Sequence, residues 1–232
     1  MRVGKFGILM MAGMMVLALA GSASAALLIT FDKVPAGTVG PQSTSNPCII
    51  AATQCQQPGG FGFNNFTSSG AISSYNMYST TPTATVADGV QGTPYTVAQL
   101  TGGLGTNSFV VAIDVNTTAA AGEILRLFEV IDIHLGVQSV LYSTGPISLN
   151  IGSLSSNGNG FADWESNLIS LAGLPATDGI LFHAVWDTAS DGAESFFIIP
   201  GNSPAAPEPG TLLLLGTGLV GLAAFARKKF HR

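Results

Sequence analysis

Hydrophobic and polar positions alternate over many short stretches of this chain, and only near its two ends do apolar residues run together without interruption. In Ser108-Phe-Val-Val-Ala-Ile-Asp114, Phe109, Val111 and Ile113 fall on one face of an extended backbone; in Ile180-Leu-Phe-His-Ala-Val-Trp186, Phe182, Ala184 and Trp186 do the same. A period of two marks a half-buried strand, because successive side chains of a strand point to opposite faces. Further runs of strand length are Ala26–Phe31, Ile72–Tyr78, Tyr95–Leu100, Val137–Tyr142, Ile147–Ile151 and Ser195–Pro200, separated by turns rich in Gly, Asn, Asp and Pro. The stretch Glu123–Leu135 fits two periods. Ile124, Leu127, Phe128, Ile131 and Leu135 make a helical stripe, while Leu125, Leu127, Ile131, Ile133 and Leu135 make a strand face interrupted by Glu129. Its content of Ile, Val and Phe and its β surroundings favour the strand. Trp164–Leu171 is a second helical candidate. The segment Gly37–Gly70 is mostly Ser, Thr, Asn, Gln, Pro and Gly, so it reads as a long loop that buries little, with Phe61, Phe63 and Phe66 placed to close over a core edge. Many short strands at intervals of about ten residues, with no internal repeat, predict an all-β fold: a single β-sandwich of jelly-roll-like type.

The ends read differently. Arg2 and Lys5 precede the apolar run Phe6–Ala20, and Gly21-Ser-Ala-Ser-Ala25 places Ala23 and Ala25 in the small-x-small pattern that signal peptidase accepts. Residues 1–25 are thus expected to be a signal peptide, cleaved after Ala25, and residues 26–203 the exported domain. In the tail, residues 204–232, a Pro207-Glu208-Pro209 turn precedes the apolar run 211–226, and Arg227, Lys228 and Lys229 open the basic end 227–232. The prolines hold the backbone extended, the form in which a processing enzyme binds its substrate. As a helix the apolar run is about 24 Å long against a hydrocarbon core of about 30 Å. It spans only where the bilayer thins and the basic cluster snorkels, and those charges keep the C-terminus on the cytoplasmic side.

A PEP motif, a short transmembrane helix and a basic end, in that order at the extreme C-terminus, resemble the sorting signal of bacterial PEP-CTERM proteins. The resemblance covers the tail alone. It implies recognition near Pro207, Glu208 and Pro209 by an exosortase, a membrane-embedded Cys protease or transpeptidase of Gram-negative bacteria that make exopolysaccharide. The chain would then be an inner-membrane intermediate before reaching the cell surface or extracellular matrix. A plain membrane anchor is the competing reading; it needs no Pro-Glu-Pro and is usually longer. The exported part also resembles, less specifically, β-rich domains that precede such tails, through Asn157-Gly-Asn-Gly-Phe-Ala-Asp163 and Ser190-Asp-Gly-Ala-Glu-Ser-Phe-Phe197.

Charge narrows the partners. Of the 8 Lys and Arg, only Lys33 and Arg126 lie outside the two targeting segments, against all of the 13 acids except Glu208. A domain so acidic repels phosphate backbones, which excludes nucleic acid, and repels anionic polysaccharide unless a divalent cation bridges them. Cys48 and Cys55, the only cysteines, sit in a region destined for an oxidising compartment, so a disulfide pinning the loop is expected.

Candidate chemistry is sparse. No His-Glu-x-x-His, His-x-His or Gly-x-Ser-x-Gly motif is present, and His134 and His183 lie on strands, where hydrogen-bonded structural roles predominate. No enzyme is therefore expected. Asp163, Glu165, Asp187, Asp191 and Glu194 could supply paired carboxylates for glycoside hydrolysis, but spacing alone does not place two of them across a cleft. The turn Asp187-Thr-Ala-Ser-Asp-Gly-Ala-Glu194 offers Asp187, Asp191 and Glu194 to a hard cation such as Ca²⁺, the only cofactor considered, and Asn157, Asn159 and Asp163 form a similar oxygen-rich turn. The plainer reading is that Asp and Asn suit hairpin turns. The expected function is a structural protein of the cell surface or matrix, associated with exopolysaccharide and biofilm. The alternatives are a carbohydrate-binding or adhesive module, Ca²⁺-dependent or not, with Tyr75, Tyr78 and Trp164 as its aromatic platform, and, third, a secreted hydrolase.

Overall fold

A computed structural model of the chain describes residues 25–35, 38–51, 60–62, 70–79, 87–117, 123–149, 158, 160–189 and 194–201. Residues 1–24 and 202–232, which carry all of the expected signal peptide except Ala25 and the expected sorting tail, lie outside the described residues, as do Cys55, Asp191, Phe63, Phe66, Asn157 and Asn159. In chain order the strands are β1 (Leu27–Leu28), β2 (Phe31–Lys33), β3 (Cys48–Ile50), β4 (Gly60–Gly62), β5 (Gly70–Tyr75), β6 (Met77–Ser79) and β7 (Tyr95–Thr96). A helix, α1 (Val97–Leu104), follows, and then β8 (Ser108–Asp114), β9 (Glu123–His134), β10 (Val137–Ser143) and β11 (Ile147–Leu149); a 3-10 turn, Ser43–Ser45, precedes β3. The set ends with β12 (Trp164–Ser166), β13 (Ile169–Ser170), β14 (Gly179–Ala189) and β15 (Ser195–Pro200).

Two sheets result. One runs β1-β10-β9-β14-β5, with β11 beside the start of β9 and β7 beside the start of β14; the other runs β2-β12-β8-β15-β3, with β13 also on β8. β4 and β6 form a separate two-stranded pair. The expected all-β sandwich is therefore present. Its core is an aromatic seam: Phe128 of β9 stacks on Phe196 of β15 at 5.3 Å, Phe182 of β14 meets Phe109 of β8 edge-on at 5.7 Å, and Trp186 meets Phe196 at 5.6 Å. Each pair joins one sheet to the other, so these contacts add quadrupole geometry to the area they bury.

Several expectations need correction. The 37–70 segment does not merely loop over the surface: Cys48, Ile49 and Ile50 form β3, an edge strand on β15, and are fully buried with Ala51. Phe61 is buried as anticipated. Tyr95–Leu100 is a strand for only two residues before α1 begins, because Thr96 caps the helix: its hydroxyl accepts from the Gln99 amide while the Gln99 side chain accepts from Thr96 N–H. Gly105, at φ +68°, ends it. Trp164–Leu171 is not helical but supplies β12 and β13. Glu123–His134 is a strand as read, yet its inward face is Leu125, Phe128 and Val130, because the pairing with β14 slips by one residue at Val185/Trp186. That irregularity moves Leu127 off the core face.

Candidate functional site

The outer face of the larger sheet carries the most organised polar group in the protein. His183 of β14 lies directly opposite Tyr75 of the edge strand β5 and Glu129 of β9, so period-two geometry puts all three on one side, with Ser73 two residues from Tyr75. Ser73 Oγ lies 2.9 Å from His183 Nε2, and His183 Nδ1 lies 3.1 Å from Glu129 Oε2. A carboxylate only accepts, so the Glu129 contact assigns the proton to Nδ1 and leaves Nε2 to accept from Ser73. Tyr75 stacks flat on the imidazole, ring centres 4.1 Å apart and planes within 3°. Burial first, and the Glu129 charge second, raise the Tyr75 phenol above its ordinary value. This is the connectivity of a nucleophile, a base and an orienting acid. Sequence reasoning missed it because Ser73, Glu129 and His183 belong to three strands with no shared motif.

The predicted acidic turn comes apart. Asp187 faces outward and holds Arg126 through two of its three guanidinium nitrogens, Nε donating to Oδ1 at 2.6 Å and Nη2 to Oδ2. Glu194 instead points inward and is fully buried. There it meets Glu123 and Asp114, and burial, then Glu123, then Asp114 hold its carboxyl far above the usual range. Asp163, considered for a hydrolase, is buried beside them; its Oδ2 accepts from Val115 N–H at 3.0 Å. Burial pushes the Asp114 carboxyl up to about 7, against a lowering by the Gly160 amide, with the Asp163 charge adding to the rise. Glu165 is on β12, and burial raises its carboxyl as well. His134 sits at the far end of β9, with Nδ1 2.8 Å from Asp178 Oδ1.

Residues 205–229 match the PEP-CTERM protein-sorting motif. This chain carries a PEP-CTERM sorting signal. The match takes in Pro207, Glu208, Pro209, the whole apolar run and the basic residues Arg227, Lys228 and Lys229, and it implies export and recognition by an exosortase. No curated protein and no solved structure matches the chain. In this PEP-CTERM chain the three aromatics proposed as a sugar platform are dispersed. Tyr75 covers His183 on the outer face, Tyr78 of β6 packs edge-on against the buried Tyr95, and Trp164 belongs to β12 in the other sheet. An open groove of about 690 Å³ runs beside β10, lined chiefly by Leu27, Val140, Leu141, Tyr142 and Leu174. Its lining is mixed, with Ser139 and Ser170 among the apolar residues, and the Tyr142 hydroxyl, which donates to Ser170 O at 3.0 Å, is already committed.

Proposed function

We propose that the protein is an exported structural component of the cell surface or extracellular matrix, sorted through its tail and not an enzyme. Signal peptidase acts after Ala25, the jelly-roll-like domain 26–203 folds outside the inner membrane, and residues 211–226 hold it there until an exosortase acts at Pro207-Glu208-Pro209. One observation carries this reading: the sorting motif at residues 205–229. Physical argument supports a transient anchor, since an apolar run interrupted by Gly216, Gly218 and Gly221 is short for the bilayer and weak as a helix. Expression of the full chain in hosts with and without an exosortase, followed by C-terminal mass analysis, tests it. Loss of Phe230, His231 and Arg232 only in the competent host, abolished by Pro207→Ala with Glu208→Ala, is the expected result; retention of those residues in both hosts overturns it.

A second reading, a secreted serine hydrolase, is favoured by the Ser73–His183–Glu129 relay. In it Ser73 Oγ attacks an ester carbonyl as His183 Nε2 takes its proton, and Glu129 steadies the imidazolium. It ranks second because Tyr75 seals one face of the ring and Ser73 lies within a regular strand. Labelling by a fluorophosphonate that disappears in Ser73→Ala would promote it; no labelling removes it.

A further inference from the structure

The end of the sandwich from which the chain leaves for its tail differs in chemistry from the rest of the surface. Pro200 pairs with Phe109 at the start of β8, and Gly201 N–H donates to Ser108 O at 2.8 Å, so the exit toward residue 202 sits beside the 105–108 turn. Leu171 N–H donates to Asn107 O, Ala98 N–H to Ala176 O and the Tyr142 hydroxyl to Ser170 O, which brings α1, the 171–178 loop and β10 to the same end. The open groove beside β10 lies there too, with Leu27 and Leu174 in its wall. Residues 25–28, 97–108, 135–142 and 168–177, which build this end, contain no Lys, Arg, Asp or Glu. The acids that border it, Asp132 and Asp178, are both buried, and Asp178 is bonded to His134. The exposed charges Asp32, Lys33 and Arg126 and the half-buried Asp187 lie toward the opposite end, near Ile113 of β8 and Leu125 of β9.

Apolar side chains stand out from this uncharged end. Leu27 is 59% exposed, Val137 68% and Leu135 90%. Single exposed apolar residues need no explanation, but Leu27 lines the groove, and Leu135 and Val137 stand at the turn from which β10, the groove's other wall, begins. Leu135 is the more telling. It holds φ of +51° in the two-residue β9–β10 turn, where Asn, Asp or Gly is unstrained. Backbone and solvent both disfavour leucine at that tip, so what favours it lies outside the folded domain.

We propose that this end docks on the lipid bilayer: while the tail anchors the chain, Leu27, Leu135 and Val137 enter the head-group region of the membrane's outer face and the acidic remainder of the domain points away. The docking rests on the tail reading given above. Residues 202–210, between Gly201 and the apolar run, reach at most about 30 Å when extended. That tether keeps the domain near the bilayer without fixing which side faces it, and at the high effective concentration of a short linker a shallow apolar contact is enough to choose. Charge points the same way, because anionic head groups repel the carboxylate-bearing faces of so acidic a domain and do not repel this end.

The test uses the full chain from a host lacking exosortase, reconstituted in vesicles of phosphatidylethanolamine and phosphatidylglycerol. An environment-sensitive fluorophore is attached without reduction to Leu135→Cys, or to Asp32→Cys at the opposite end, with the unsubstituted chain labelled in parallel as the blank for Cys48 and Cys55. Expected are flotation of every protein with the vesicles and, at position 135 but not at 32, a blue-shifted emission quenched several-fold by spin-labelled lipid. Leu135→Asn with Val137→Ser, which relieves the turn and leaves the core untouched, abolishes the quenching of a label at Ala172→Cys while the chain still floats. Flotation with equal quenching at 135 and 32 overturns the docking and leaves the tail reading standing. Failure to float overturns the tail reading, and the docking with it. Emission at 135 that shifts with protein density on the vesicle but ignores spin-labelled lipid overturns the bilayer as partner in favour of a second copy of the domain.

Discussion

Asp114→Asn should change how stability depends on pH. The Asp114 carboxyl is buried, takes one amide bond from Gly160, leaves Oδ1 without a partner and faces the acids Asp163 and Glu194. Its folded value is about 7 against an ordinary 3.8, so the folded state holds this proton more tightly than the unfolded chain does. The sign follows. The carboxyl's contribution is complete below pH 4 and is lost as pH rises through about 7, because ionisation is easy in the unfolded chain and costly in the folded one. A separation of that size corresponds to a ceiling of about 4 kcal/mol, and local relaxation with water entry brings the working expectation to about 2 kcal/mol. Asparagine keeps an oxygen for Gly160 N–H and removes the titration. Urea unfolding in EDTA, followed by Trp164 and Trp186 fluorescence at pH 4.5, 6 and 7.5, should show the wild type losing about 2 kcal/mol relative to Asp114→Asn across that range. Glu123, Asp163 and Glu194 are common to both proteins, so their titrations largely cancel in the difference. Parallel profiles for the two proteins would falsify the argument that this carboxyl is held uncharged by burial.

Three other outcomes can be checked. Asn76 is buried between β5 and β6 and accepts from Phe182 N–H at 2.6 Å, so Asn76→Ala strands a core amide and should cost about 2 kcal/mol in urea unfolding. Leu135 and Gly136 form the two-residue β9–β10 turn with φ of +51° and +82°, and Leu135 is 90% exposed, so Leu135→Asn should raise stability by about 1 kcal/mol; an unchanged or lower melting temperature would contradict the strain argument. Cys48 is expected to be bonded to Cys55 in exported protein, with no alkylation before reduction and two alkyl groups after it; two groups before reduction would remove the bond.

How much the sequence discloses depends on how local the controlling physics is. β8 and β15 keep the bounds of their apolar runs, Ser108–Asp114 and Ser195–Pro200, because both lie inside their sheet: Phe109, Val111, Ile113, Phe196 and Ile198 face the main core, while Ala112 and Phe197 are buried on the other side with Val34 and Cys48. β3 is hidden in the sequence because three residues, Cys48-Ile-Ile50, are too few to show a period, and their place as an edge strand depends on pairing with the distant β15. The helix left a legible mark in Thr96-Val-Ala-Gln99 and Gly105, outweighed by the β-type run Tyr95-Thr-Val97 and by Gly102 and Gly103. The face of β9 could not be read, since the slip that sets it belongs to the pairing with β14. Both polar clusters lie at the same limit. Ser73, Glu129 and His183, like Asp114, Glu123 and Glu194, are joined by strand order and not by spacing. A hint was available for the second set: acids that bound strands of apolar residues, at positions continuous with an inward face, as Glu123 is with Leu125 and Glu194 is with Phe196.

The sorting tail and the buried acids bear on one another. A chain read as crossing a membrane before it folds arrives outside with its carboxylates charged at neutral pH, and gathering Asp114, Glu123 and Glu194 at one crossover then opposes folding. Protons offset that, at the cost of stability that falls steadily as pH rises through the range in which the buried carboxyls ionise. On the proposed reading the domain folds outside while the tail holds it at the membrane surface, and its β8–β9 crossover closes most firmly where these acids keep their protons. The consequence is measurable: in a host lacking exosortase, the membrane-held protein should resist protease at pH 5.5 and be cut within the domain more readily at pH 8, as followed by a protease active at both. Equal resistance under both conditions would mean that the buried acids do not set the stability of the crossover.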